Sequence, residues 1–152
     1  MSSVMISKEL VLLKEDLKDS DEVLDRLGKH LFRLGYVKES FIKAVKDREI
    51  EFATGLPTER YGIAIPHADI EHVNESCICV ATLKNPVDFR MMSDHDQIIH
   101  VSIVVMLALK EGHQHMELLS KLIGFIQDPE MLEVIYKSTS PEEIAQILNK
   151  VI

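Results

Sequence analysis

Residues 98–109, IIHVSIVVMLAL, form a twelve-residue apolar run broken only by His100 and Ser102 and rich in Val and Ile. Such a run predicts a strand buried on both faces. It is well short of the roughly 20 residues that cross a bilayer. The rest of the chain alternates helical and extended patterns, with no repeat, low-complexity tract or Pro/Gly-rich linker, so an α/β class is expected. At 152 residues there is room for one sizeable core, and a single domain over residues 1–152 is expected.

Residues 10–13 read as a short strand. Val23, Leu24, Leu27, Leu31 and Leu34 recur at helical spacing, with Ser20 or Asp21 as N-cap and Gly35 as the stop. A second helix is expected over residues 39–48 on the apolar face Phe41, Ile42 and Val45, followed by a loop over 52–61 that contains Gly55 and Pro57. Residues 62–65 read as a strand halted by Pro66, which has no amide donor, so the chain is expected to leave the sheet there and expose His67. Residues 77–83 read as another strand. Beyond Gly112 the period becomes helical, with His115, Leu118, Leu119, Leu122 and Ile126 on one face. Pro129 after Asp128 opens the next helix. Pro141 after Ser140, with Glu143 at the capping-box position, opens the last.

The net charge is −8 and no dense Lys/Arg cluster occurs, which argues against nucleic acid and anionic membrane as partners. The N-terminus lacks a basic region followed by an apolar one, so no secretory signal is expected. Cys77 and Cys79, if on a strand, share a face with their positions roughly 6.5–7 Å apart, a poor fit to a disulfide. A reducing, cytoplasmic location is the expectation.

The segment Ala64-Ile65-Pro66-His67-Ala68-Asp69 sets a histidine just after a strand-ending proline. Strand ends in α/β proteins project side chains into a crevice, and a fixed proline φ aims the next side chain. A reactive imidazole needs that support, although a Pro-His dipeptide alone is more often a solvated turn. His115 lies in the first turn of its helix, where free amides and the dipole favour an anion; taken alone it is an ordinary histidine at the edge of a core. Arg48 ends the second helix, either as a solvated helix-end cation or as a fork of donors for phosphate oxygens. His67, Asp69, Glu71 and His72 match no zinc-hydrolase spacing, and a metal site is not expected from them. Cys77 and Cys79 lack a phosphate-cradling loop and read as buried strand residues.

Phe52-Ala53-Thr54-Gly55-Leu56, then Gly62-Ile63-Ala64-Ile65-Pro66-His67, then His115-Met116-Glu117-Leu118-Leu119 together resemble the enzyme IIA domain of the fructose–mannitol class of the phosphoenolpyruvate-dependent sugar phosphotransferase system. The resemblance runs from about Leu10 to Ile152 and is nearest to the galactitol-type branch. It implies a mixed β-sheet flanked by helices on both sides. It also implies a phosphotransferase that takes a phosphoryl group from phospho-HPr onto His67 and passes it to a cysteine of enzyme IIB. A membrane enzyme IIC then moves galactitol or a related sugar or polyol. The family's second active-site histidine falls on His115 and its arginine on Arg48. Ala53 departs from the proline that many relatives carry before Thr-Gly, which leaves the branch, and so the sugar, open.

Phosphoryl transfer has a loose transition state with charge on the equatorial oxygens, so the site must supply alignment and donors. That assigns His67 as nucleophile and carrier, His115 as orienting donor and Arg48 as electrostatic support, with Thr54 offering a hydroxyl or amide to the phosphate. The scheme needs no cofactor and no metal. Two rivals stand beside it: a nitrogen-type regulatory protein that uses phosphorylation of His67 as a switch, and a metal hydrolase that would hold zinc.

Overall fold

The computed structural model describes residues 4–152. Strands β1 (Val11–Glu15), β2 (Gly55–Leu56), β3 (Gly62–Ala64), β4 (Cys77–Arg90) and β5 (Ile98–Ala108) form one sheet in the order β1-β4-β5-β3-β2. The sheet is mixed: β1 runs parallel to β4 and β3 parallel to β5, while β4–β5 and β2–β3 are antiparallel. Helices α1 (Ser20–Arg33) and α2 (Ser40–Glu51) cover one face. The other is covered by α3 (Gly112–Ile126), α4 (Pro129–Lys137) and α5 (Pro141–Val151).

The apolar run of β5 is buried on both faces because it lies between the two helical layers. Val104, Met106 and Ala108 pack with Leu27, Leu31, Phe41 and Val45 of α1 and α2. Ile103, Val105 and Leu107 pack with Leu118, Leu122, Ile135 and Ile144 on the opposite side. Gly62 pairs with Val101 but Ile63 with Ile103, so Ser102 is an extra residue that returns Val101 to the α1–α2 face. Strand β4 likewise sends Cys77, Cys79, Ala81 and Leu83 to one side and Ile78 and Val80 to the other. Both cysteines are free, and burial pushes both thiols well up.

Several boundaries differ from expectation for local reasons. Asp19, rather than Ser20 or Asp21, caps α1, its carboxylate accepting the Glu22 amide at 2.8 Å. Strand β4 continues past Leu83 to Arg90. A register shift between Thr82 and Val87 absorbs Pro86, after which Val87 and Phe89 are buried and Asp88 and Arg90 exposed. The buried stripe of α3 is Gln114, Leu118, Leu122 and Ile126, with His115 at its edge. Asp128 and Ser140 cap α4 and α5 as their sequences predict. Gly35, φ +85°, follows α1 in the left-handed conformation that favours glycine.

Strand β3 ends at Ala64, but the chain stays beside β5 past Pro66. The proline costs one ladder donor, but its carbonyl accepts the Leu107 amide at 2.9 Å, and His67 forms a bridge with Leu107. Pro66 is buried and His67 half-buried, so the residue is held against the central strand rather than displayed on a loose turn.

Candidate active site around His67

Strand β3 reaches the site because Gly62 lets it lie close to β5; a Cβ there would come within 2.1 Å of the His100 carbonyl oxygen. Beyond the strand, His67 Nδ1 sits 3.0 Å from the Ile65 carbonyl oxygen. A carbonyl only accepts, so Nδ1 carries the proton and donates it, and the neutral ring keeps a bare lone pair on Nε2. Burial holds the His67 pKa below the ordinary histidine value. The bond to Ile65 and Asp69 oppose the shift, while Arg48 and His115 add to it. At neutral pH the ring is therefore uncharged, as an attacking imidazole must be.

The His115 ring lies 5.3 Å from that of His67, centroid to centroid, at an interplanar angle of 45°. A backbone hydrogen bond at Gly112 favours its protonated form, but burial and then Arg48 pull its pKa below the ordinary value. Arg48, in the last turn of α2, donates from Nη1 to Asp69 Oδ1 at 3.3 Å. Its guanidinium carbon lies 5.3 Å from the Phe52 ring centroid. Among the described residues, two buried side-chain polar atoms have no hydrogen-bond partner, Arg48 Nε and His115 Nε2. Leaving such an atom unpaired costs about 1–3 kcal/mol. Both orphans flank the carrier candidate, the arrangement expected where a ligand completes the bonding.

Of the residues singled out from sequence, the structure thus brings together His67, His115 and Arg48. Thr54 lies beside them but is turned toward Glu49. It is 3% exposed, its amide donates to Glu49 Oε2 at 2.8 Å, and its hydroxyl donates to Glu49 and accepts from the Ile65 amide at 3.2 Å. With amide and hydroxyl both engaged, Thr54 ties α2 to the segment before His67. At the N-terminus of α3 the Glu111 side chain accepts the Gln114 amide in a capping box. A phosphate there would meet a carboxylate. His115 meets His67 through its ring.

Two residues of the site escape sequence reading. Asp69, two positions past His67, accepts a hydrogen bond from Arg48. Glu49, next to Arg48, anchors Thr54; nothing in a charged helical stretch distinguishes it. Asp69 and His72, candidate metal ligands by residue type, are directed elsewhere: Asp69 to Arg48, and His72 Nδ1 to Ser40 Oγ at 2.8 Å. No group of three or more His, Cys, Asp or Glu is arranged to hold a metal ion among the described residues, and no helix among them is long and apolar enough to cross a membrane.

Residues 4–151 match the family described as the phosphoenolpyruvate-dependent sugar phosphotransferase system, EIIA 2. The chain is 35% identical over 124 residues to the galactitol-specific EIIA component of Escherichia coli, covering 82% of this chain and 81% of that one. It is 30% identical over 151 residues to the mannitol-specific enzyme IIA component of Staphylococcus aureus, covering 97% of each. Its fold superposes with a TM-score of 0.78 on a chain of the complex of enzyme IIAMTL and phosphorylated enzyme IIBMTL from Escherichia coli. The sequence identity there is 22%, and 97% and 99% of the two chains are covered. The chain therefore belongs to the EIIA 2 family of the sugar phosphotransferase system, phosphotransferase components that carry phosphoryl groups between proteins.

Proposed function

We propose that His67 Nε2 accepts a phosphoryl group from the phosphohistidine of HPr and passes it to a cysteine of enzyme IIB, for uptake of galactitol or a related sugar through a membrane enzyme IIC. One observation carries this reading: a bare Nε2 on His67 beside the only two buried orphan polar side-chain atoms among the described residues, Arg48 Nε and His115 Nε2. The similarity to galactitol-specific EIIA over four-fifths of both chains favours transport over a purely regulatory role.

The chemistry balances without a cofactor. The Nε2 lone pair of His67 forms the new N–P bond as the N–P bond to the donor histidine breaks, and the donor imidazole departs with that electron pair. In the second step a thiolate attacks the same phosphorus from the opposite side, and His67 leaves as the neutral ring. Charge builds on the three equatorial oxygens in each step. The Arg48 Nε–H faces them as a fixed donor. Arrival of the anionic phosphoryl group offsets the repulsion that Arg48 exerts on His115, so His115 protonates and donates from Nε2.

Incubation with phosphoenolpyruvate, enzyme I and HPr tests the reading. Acid-labile, base-stable label is expected on the wild type and none on His67→Ala. Label that persists on a folded His67→Ala protein would remove His67 as the carrier.

A further inference from the structure

Glu49 follows Arg48 in α2 but points inward, and it is only 8% exposed. It has no ion-pair partner among the described residues. Instead its carboxylate accepts the Thr54 amide at 2.8 Å and the Thr54 hydroxyl at 2.8 Å and 3.1 Å. The same hydroxyl oxygen accepts the Ile65 amide at 3.2 Å, sharing it with the Thr54 carbonyl at 3.3 Å, and the Ile65 carbonyl in turn accepts the His67 Nδ1 proton at 3.0 Å. A buried carboxylate without a cation is costly, so stability alone gives no reason for a charge here. Its connection to the carrier does.

We propose that Glu49 is a positioning residue for phosphoryl transfer. Through Thr54 and the Ile65 backbone, its carboxylate fixes the carbonyl that keeps His67 protonated on Nδ1 and bare on Nε2. The proposal rests on His67 being the carrier. An ionised Glu49 accepts every donor that Thr54 offers it. A protonated one must itself donate, which leaves Thr54 a donor short of partners and loosens the tie. Burial pushes the Glu49 pKa up to about 7, so the change falls near neutrality. The charged groups facing the same cleft are Lys46 on α2, Asp21 on α1 and Arg90 on β4, with His95 favouring the ionised form from the β4–β5 connection. Lys46 is already held by Asp25 and Asp21.

The test compares transfer rates from phospho-HPr between pH 6 and pH 8 for wild type, Glu49→Gln, Thr54→Val and Thr54→Ser. Glu49→Gln should be about tenfold slower at pH 8, a misalignment-sized effect, and should converge on the wild type at pH 6, where Glu49 is itself protonated. Thr54→Val should lose the inflection near pH 7, and Thr54→Ser, which keeps the hydroxyl, should restore it. In parallel, ¹⁵N NMR of the unphosphorylated proteins reads the His67 tautomer with no donor present. The Nδ1–H form should dominate in wild type and give way to a mixture in Glu49→Gln and Thr54→Val. A wild type that takes no label, together with a tautomer that shifts in Glu49→Gln, would count against His67 as carrier while upholding the tie. An unchanged tautomer with a rate ratio independent of pH would overturn the proposal.

Discussion

Two polar clusters meet at His67, and they differ in how completely their atoms are bonded. In the first, Glu49, Thr54 and the Ile65 backbone satisfy one another away from solvent. In the second, Arg48 and His115 each present a buried nitrogen with no partner. Adjacent residues of one helix, Arg48 and Glu49, supply the charge on each side. A closed network holds backbone in place, whereas an open one is complete only when a ligand arrives. In the proposed scheme the closed cluster sets the tautomer of His67, and the open cluster receives the phosphoryl group that His67 carries.

If that division is correct, substitutions in the open cluster cost transfer and spare stability. Arg48→Ala should lower the transfer rate by about 10²–10³-fold, the usual effect of losing one preorganised donor. Its unfolding free energy should move by less than about 1 kcal/mol, because the bond to exposed Asp69 is weak. Arg48→Lys should recover only part of the rate, since a point charge does not reproduce the guanidinium fork. His115→Ala should fold normally and slow transfer by about 10–10²-fold. An unchanged rate in single-turnover kinetics would make His115 part of the scaffold and blur the comparison.

The closed cluster should show the opposite balance. Thr54→Val leaves Glu49 without its hydroxyl donor and should destabilise the fold by about 1–3 kcal/mol in urea denaturation, more than Arg48→Ala does. His67 and Glu49 also differ in the sign of their pH dependence. The folded His67 pKa is lowered, so the unfolded chain binds that proton first as pH falls from about 6.5, and stability is lost toward acid. The folded Glu49 pKa is raised to about 7. The folded state therefore holds its proton longer, and stability declines as pH rises from about 4.5 to 7. Glu49→Gln should flatten that decline in a series of thermal melts, the smallest of these effects. A decline of unchanged slope would show that Glu49 is not the titrating group.

Much of this is legible in the sequence where a residue type has one physical use. The apolar β5 run has to lie between two layers, and Asp128-Pro129 and Ser140-Pro141 start helices through local bonds alone. Strand β4 extends beyond its sequence-based end at Leu83 because a register shift in the folded sheet accommodates Pro86, which by residue type looks like a terminator. At the site, the Pro-His element and the family resemblance point to His67, His115 and Arg48. The bonding of Thr54 and the role of Glu49 are hidden for one reason: which partner takes a hydroxyl or carboxylate is settled by tertiary contacts. Chain position shows that Thr54 is near the site, but not that its donors are already used.

The geometry makes one more specific demand, that phosphate occupy Nε2 of His67 because Nδ1 is committed to Ile65. Nitrogen-resolved ¹⁵N–³¹P NMR of the phosphorylated protein reads this directly. The expected result is a single phosphohistidine with the coupling on Nε2 of His67 and a proton retained on Nδ1. Phosphate on Nδ1 of His67, or on His115, would contradict the assignment of the carrier atom and of the two clusters around it.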